Sequence, residues 1–523
     1  MEEAAAPAVH TVADLVAQAA DRSADHPALV AGPVTLSWAE LDALVDRAAS
    51  ALRQLGLAPG DRIVLQLGNS TDFPALYYGA LRAGLVAVPA NVAYTGPELA
   101  HLLSDSGAVA LVTSSVQVIA TADTLRTGPL RHVLVAAPSG PDGTLPLPGL
   151  LAAAPPLAFR HVPRSPEDLA VLAYTSGTSG RPRGAMLTHR ALLANLAQCA
   201  ALRPAPVTAQ DVLLLAVPLF HAYGLNPGLG LLARAGATGV LVEHFDPAET
   251  LELIRRQQVT AVPAVPAMYV RWAREPGLAD AFAGVRLATS GAAPLPPETL
   301  LAFADAGVTV FEGYGLTEAA PVLTSTLVGG AAKPGSVGRP VPGVELRLRE
   351  VSGMEPDPEP DDDAGPGELD LIGSEAGPGE IVVRGPNLFS GYWPQGTDGP
   401  DPDGWWATGD VAYADDDGDL HLVDRRTELI LVRGFNVYPA EVEAVLAAHP
   451  TVAEAAVLGR PDEEHGERVV AYVVAAEGAS PGEQELLDWA ARSLARFKLP
   501  ASIEFVPDLP HSATGKVIKA RLR

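Results

Sequence analysis

The sequence has a single cysteine, Cys199, among its 523 residues. An intramolecular disulfide is therefore excluded, and so is a zinc site built from cysteines. Basic residues are also scarce: 36 Lys and Arg stand against 62 Asp and Glu, a formal net charge of −26. Phosphate backbones want basic surface, so this balance argues against nucleic acid as a partner. The same charge makes any phosphorylated ligand unwelcome except at local basic spots, which should be few and functional. No apolar run approaches the ~18 residues that a membrane helix needs. The start, Met1 to His10, carries two Glu and no basic residue before the His. That is not the pattern of a signal peptide, and a cytoplasmic location is the expectation.

What is present is an ordinary globular mix, 48% hydrophobic and 19% charged. The length predicts two or more domains. Ser37 with Glu40 reads as a capping box, and Leu41, Leu44, Val45, Ala48 and Leu52 then share one helical face up to Gly56. Asp61 to Leu67 alternates like a strand. Phe73 to Ala83 reads as a helix and Val86 to Pro89 as a strand. Thr95 with Glu98 is a second capping box, ahead of a strand at Val109 to Thr113. Strands alternating with helices imply parallel sheets joined by crossovers, an α/β fold.

The chain is organised around Tyr174-Thr175-Ser176-Gly177-Thr178-Ser179-Gly180-Arg181-Pro182-Arg183-Gly184. An apolar run, Leu169 to Ala173, precedes it and reads as a buried strand; a helix is predicted from Thr188 to Gln198. Glycines let the backbone curl tightly around a ligand, and successive N–H groups with hydroxyls make an anion cradle. A loop that wraps polyphosphate is the physical reading; a flexible surface turn is the bland one. The order of residues is not that of a Walker A loop, which needs Gly-Lys-Ser/Thr after four spacer residues.

Further segments sit at the ends of predicted strands. Val212 to Val217 leads into Pro218-Leu219-Phe220-His221-Ala222-Tyr223-Gly224-Leu225-Asn226. Val285 to Ala288 leads into Thr289-Ser290-Gly291-Ala292-Ala293-Pro294. Val308 to Phe311 leads into Glu312-Gly313-Tyr314-Gly315-Leu316-Thr317-Glu318. One carboxylate at a strand end beside hydroxyls suits a magnesium ion that also takes substrate phosphates. Ser352 to Glu380 is rich in Pro, Gly, Asp and Glu and reads as a solvated or disordered excursion, before a strand at Glu380 to Arg384. Gly404 to Asp410, Asp424 to Ile430, Gly434 to Glu441 and Pro510 to Lys516 follow, with a helix predicted from Pro439 to Ala448. Taken alone, His221 and Tyr223 read as packing residues, Asp410 as a turn residue and Lys516 as an exposed loop lysine.

In combination these segments resemble the adenylate-forming superfamily of acyl-CoA synthetases, luciferases and adenylation domains, from about Val12 to the C-terminus. The resemblance implies a large N-terminal domain, residues 1–426, of two stacked, mostly parallel α/β sheets plus a distorted β-barrel. A small mobile α+β domain, residues 427–523, completes it. ATP, Mg²⁺ and CoA are the implied cofactor and co-substrates. Thr175, Ser176, Gly177, Thr178, Ser179, Gly180 and Arg183 would wrap the phosphates, with Arg183 standing where the family usually has Lys. Ser290, Gly291 and Ala292 would pack on the adenine, and Tyr314 would stack on it. Gly313, Gly315 and Thr317 complete the nucleotide contacts, and Glu318, with Thr178, would hold the metal. Asp410 and Arg425 would bind the ribose. His221 would line the wall between acyl group and nucleotide, with Tyr223, Asn226 and Val322 as further substrate contacts. Thr427 would be the hinge, where relatives have Lys or Asp. Gly434 would lie beside the CoA arm. Lys516 would bridge the acyl carboxylate and the α-phosphate.

The implied reaction is carboxylate plus ATP to acyl-AMP and pyrophosphate, then thiol attack to acyl-CoA and AMP. A medium- or long-chain fatty acid is the expected substrate. Aryl-CoA ligases of the 4-coumarate type, transfer to a carrier protein, and a non-catalytic binder on the same fold are the alternatives. Glu318, Asp410, Arg425 and Lys516 argue against the binder. A homodimer is a further expectation.

Overall fold

The computed structural model describes residues 11–115, 128–155, 162–175, 182–350, 378–425, 430–432, 435–437, 439–462, 466–492, 494, 498–512 and 515–522. The chain divides into two compact units. The first comprises residues 1–334, 340–344 and 385–404; the second comprises 335–339, 345–384 and 405–523. The excursion expected at 352–380 falls almost wholly outside the described residues.

Two sheets build the first unit. One runs in the order Leu145–Pro146, His132–Val135, Ala110–Thr113, Arg62–Gln66, Val86–Pro89, Leu169–Thr175 and Arg183–Thr188. All its neighbours are parallel except the last pair. The other runs from Val322–Ser325 through Val310–Gly315, Leu287–Ser290, Ala261–Ala264, Val212–Leu215, Thr238–Leu241 and Pro27–Ala31 to Val34–Ser37, parallel in its interior and antiparallel at Val322–Ser325 and Val34–Ser37. Parallel strands buried on both faces read as continuous apolar runs, as Val86–Pro89 and Val212–Leu215 do. Asn69, 5% exposed, ties the sheets together. Its amide donates to the carbonyls of Leu215 (2.9 Å) and Val217 (3.1 Å), and its oxygen accepts the N–H of Leu219 (2.9 Å).

Local signals act as expected. Helix Trp38–Gln54 starts on Ser37, whose hydroxyl accepts the Glu40 N–H while the Glu40 carboxylate accepts the Ser37 N–H. Glu98 takes both the N–H and the hydroxyl of Thr95 at 2.8 Å ahead of helix Gly96–Ser106. Helix His189–Ala200 is capped by Thr188, which accepts the Ala191 N–H. One strand was not anticipated. Arg183–Thr188 returns antiparallel on Leu169–Thr175, so the glycine-rich segment is a hairpin connection rather than a simple strand-to-helix loop.

The core of the larger sheet is aromatic. Trp272, fully buried, meets Phe245, Tyr269 and Phe282 edge-on at centroid distances of 5.2, 5.5 and 5.6 Å. Phe303 closes the cluster against Tyr269 and Phe282.

The second unit holds the antiparallel strands Glu345–Glu350, Gly379–Arg384, Trp405–Ala414 and Leu420–Arg425. These four strands are what the described residues contribute where a distorted barrel is implied. The unit also holds a second sheet: Phe435–Val437, Ile430–Val432, Gly466–Ala475 and Val452–Asp462, with Ser502–Phe505 parallel to Gly466–Ala475. Helices Pro439–Ala447 and Glu483–Ala490 bury Val442, Leu446, Leu486 and Ala490 in its core, the α+β pattern expected of the C-terminal region.

Because Trp272 is fully buried against three aromatic partners, Trp272→Ala is expected to destabilise the chain by about 3–5 kcal/mol. Urea unfolding followed by circular dichroism measures it; a loss under about 1 kcal/mol would show that the cluster repacks around the gap.

Candidate active site

The site grows from two strand ends of the first unit. Leu169–Thr175 delivers Thr175, and the return strand begins opposite it at Arg183. Ser176, Gly177, Thr178, Ser179 and Gly180 lie between them, outside the described residues. From the other sheet, Val310–Gly315 passes through Leu316 into a short turn, Thr317–Ala319, that carries Glu318. Gly315 admits no side chain there, because a Cβ would stand 1.9 Å from the Pro321 carbonyl oxygen.

The segment after Gly315 is held by its carbonyls. Glu318 O accepts the Phe389 N–H (2.8 Å), and Ala319 O accepts the Asn387 side-chain amide (2.8 Å). Ala320 O accepts the Asn226 amide (2.7 Å), Pro321 O the Leu316 N–H (2.9 Å), and Val322 O the Asn195 amide (2.8 Å). Asn195 also accepts the Val322 N–H (3.2 Å). Five consecutive carbonyls thus have donors from four separate stretches. This satisfies a buried irregular backbone and keeps Ala320 in the left-handed region at φ 64°.

Glu318 itself is 6% exposed. Its Oε1 accepts the Tyr392 hydroxyl at 2.7 Å and lies 3.4 Å from the Thr175 hydroxyl. Among the described residues its Oε2 has no hydrogen-bond partner. A buried carboxylate with one oxygen to spare, flanked by hydroxyls, fits a magnesium ion that completes its shell with phosphates and water. Arg183 stands close by. Its guanidinium lies 3.8 Å over the Tyr392 ring and pairs with Asp398 at 2.5 Å.

The residues expected on the acyl side lie in the same unit. His221 keeps some solvent contact, yet the packing around it holds its imidazole down to about 4. Its Nδ1 accepts the Tyr223 N–H (3.3 Å), as a neutral ring can. The Tyr223 hydroxyl is 3.1 Å from Thr289 Oγ1, and its ring lies 3.5 Å from where a Gly291 Cβ would be. The Tyr223 ring thus packs beside the Ser290–Ala292 turn at ordinary van der Waals distance. Among the described residues the buried Ser290 hydroxyl has no hydrogen-bond partner, and Ala292 adopts φ 76°. Glu312 closes that turn by accepting the Leu295 N–H (3.1 Å); burial raises its carboxyl to about 7. Tyr314 and Gly313 lie on the strand beside it, Tyr314 buried at 9% exposure and Gly313 packed against the Thr324 carbonyl. Thr317 precedes Glu318 in the turn. Asn226 spends its amide on the Leu192 and Ala320 carbonyls, which makes it a support of the Glu318 segment as well as a lining residue. It borders a small apolar cavity with Leu192, Phe220, Ala222, Leu225 and Ala320.

The remaining residues belong to the second unit. Asp410 and Arg425 are Cα partners across Trp405–Ala414 and Leu420–Arg425, so Asp410 stands in a long strand rather than a turn. Its N–H donates to Thr408 Oγ1 (3.1 Å). Lys516 is exposed, just after Gly515 at φ 81°, and its N–H donates to Ser512 Oγ (3.1 Å). Thr427 and Gly434 lie outside the described residues. Tyr392, Asn387 and Asn195 were not singled out from the sequence. Each is distant in the chain from what it holds, and no local pattern marks it.

Known proteins resemble this chain along most of its length. The AMP-binding enzyme family matches residues 16–393, and the AMP-binding enzyme C-terminal domain matches residues 441–516. The chain belongs to this family, the adenylate-forming acyl- and aryl-CoA ligases. It is 37% identical to a feruloyl-CoA synthase of Amycolatopsis sp over 94% of each chain. It is 35% identical to a long-chain-fatty-acid–CoA ligase of Yersinia pestis, over 98% of this chain and 93% of that one. Among solved structures, ATP-bound MatB from Rhodopseudomonas palustris superposes with a TM-score of 0.85 at 34% identity, over 98% of each chain. Among the described residues no helix is long and apolar enough to cross a membrane.

The His221 environment sets a pH dependence. An unfolded chain protonates this histidine near 6.5, whereas the folded one resists until about 4. The stability contributed by neutral His221 is therefore full above pH 6.5 and is lost as pH falls toward 4. His221→Asn is expected to lower the slope of unfolding free energy against pH in that window by about one proton. An unchanged slope would show that the ring protonates freely in the folded chain.

Proposed function

We propose that this chain is an ATP-dependent acyl-CoA synthetase. It joins a carboxylic acid to AMP and passes the acyl group to CoA, releasing pyrophosphate and AMP. The observation that carries the reading is Glu318: a buried carboxylate at a strand end, held rigidly, with an oxygen to spare beside the phosphate-loop hairpin. A carboxylate is a poor electrophile because its leaving group would be oxide. In the first step one carboxylate oxygen attacks the α-phosphorus, and the bond to pyrophosphate breaks. In the second the CoA sulfur attacks the acyl carbon, and the bond to AMP breaks as the thiol proton leaves.

Positioning and charge neutralisation dominate the first step. Glu318 and Thr178 would hold a magnesium ion, which supplies positive charge to the phosphates. Ser176 to Gly180 contribute N–H groups and hydroxyls to the phosphates. Asp410 and Arg425 take the ribose. Lys516, a compact mobile cation, supplies charge between the acid and the α-phosphate. For the second step Lys516 withdraws about a hinge near Thr427, which separates residues 1–426 from 427–523, and Gly434 takes its place beside the thiol; motions of this kind gate turnover in many enzymes.

His221, Tyr223, Asn226 and Val322 include no cation for a second carboxylate, which supports an acid with a single carboxylate. A medium- or long-chain fatty acid is the first reading, supported by the apolar surroundings of Asn226 and by the fatty-acid ligase relatives. A phenylpropenoate is the second, favoured by the feruloyl-CoA synthase match and by 4-coumarate–CoA ligases of rice at up to 35% identity.

Pyrophosphate exchange with a panel of fatty and aromatic acids decides between them. No exchange with any acid would point instead to a binder. Lys516→Ala is expected to reduce adenylation by about a hundredfold or more while sparing thioester formation from supplied acyl-AMP. Equal loss in both half-reactions would remove Lys516 from the first step.

A further inference from the structure

We infer that Tyr392 is a positioning residue for Glu318, and that Arg183 serves the site by holding Tyr392. This rests on the metal role proposed for Glu318. The stretch Asn387–Trp393 is clamped to the site on two sides. On one side it pairs with the strand that leaves the phosphate loop. Ser390 N–H donates to Met186 O (2.9 Å), Met186 N–H to Gly391 O (3.1 Å), and Trp393 N–H to Gly184 O (2.8 Å). On the other side Phe389 and Asn387 hold the Glu318 and Ala319 carbonyls, and the Tyr392 hydroxyl holds the Glu318 carboxylate. One short stretch therefore sets the spacing between the phosphate loop and the candidate metal ligand. It also needs Gly391, at φ 93°, where a Cβ would stand 2.2 Å from the Gly396 carbonyl oxygen.

Tyr392 is itself braced. Its ring packs edge-on against Phe389 at 5.0 Å and carries the flat face of Arg183 at 3.8 Å. A planar guanidinium can stack on an aromatic ring and pair with a carboxylate at once; an ammonium is a compact point charge and lacks that fork. Asp398 supplies the carboxylate, at 2.5 Å. The replacement of the usual Lys by Arg183 thus has a partner set in this chain. The phenol donates to Glu318 Oε1 and leaves Oε2 for other ligands, so it selects which oxygen faces the phosphates.

The test is Mn²⁺ affinity for the full-length protein bound to a non-hydrolysable ATP analogue, read by water-proton relaxation. Wild type, Glu318→Gln, Tyr392→Phe and the double variant are compared, with thermal midpoints recorded. Tyr392→Phe keeps the ring and its packing. It is expected to weaken Mn²⁺ about tenfold, as for a hydrogen bond to a charged group. The double variant should be no weaker than Glu318→Gln alone. In pyrophosphate exchange Tyr392→Phe should lower kcat and leave KM for the acid unchanged. Wild-type Mn²⁺ affinity in Tyr392→Phe, with Glu318→Gln impaired, would overturn the inference and leave the Glu318 role standing. Wild-type affinity in Glu318→Gln would overturn the metal role itself. Asp398→Asn frees the guanidinium without touching the phenol and is expected to weaken Mn²⁺ about two- to threefold. No change there would remove Arg183 and Asp398 from the support of Tyr392.

Discussion

A carboxylate buried at a strand end is useful only if it cannot turn away. Glu318 meets that condition because the backbone around it has no freedom left. The carbonyls of residues 318 to 322 are each claimed by a donor, and three of those donors are buried side-chain amides from Asn195, Asn226 and Asn387. An unpaired carbonyl in the interior is expensive, so each amide both relieves that cost and selects one path for the chain. The path places Glu318 beside Thr175 from the other sheet. The rest of the candidate site is arranged around that meeting.

The scarcity of positive charge gives the same region its second constraint. Several of the arginines in this acidic chain are committed to structure. Arg82, 2% exposed, is paired with Asp42 and Asp46 under helix Trp38–Gln54. Arg286 is paired with the buried Asp211. Arg183 is the basic residue on the strand leaving the phosphate loop, and it too has an acidic partner. Attraction for an anionic nucleotide therefore cannot come from a diffuse basic surface. It has to come from hydroxyls, backbone N–H groups and a few cations brought together locally.

How much was legible follows from where the information lies. The capping boxes at Ser37 and Thr95, the helix from Thr188 and the strand–turn sequences ending in His221, Ser290 and Glu318 are local patterns, and each stands where it was expected to within a few residues. The return strand Arg183–Thr188 escaped because glycine and arginine at its start read as loop, and only pairing with Leu169–Thr175 makes it a strand. Asp410 escaped in the same way: the Thr408-Gly409-Asp410 stretch, which reads as a turn, became part of the ten-residue strand Trp405–Ala414 once Gly379–Arg384 and Leu420–Arg425 flanked it. Tyr392 carried no local signal at all. It lies 74 residues from Glu318 in the chain.

The sequence by itself determined the α/β class, the order of strand and helix, and the family to which the glycine-rich and acidic motifs belong. These follow from short-range periodicity, capping chemistry and residue order, all of which are properties of neighbouring residues. Only the tertiary structure decided which oxygen of Glu318 stays open, why an arginine can stand at position 183, and which amides hold the turn at 318–322. Those are contacts between stretches far apart in the chain, made by side chains whose types are common and whose partners are chosen by packing alone.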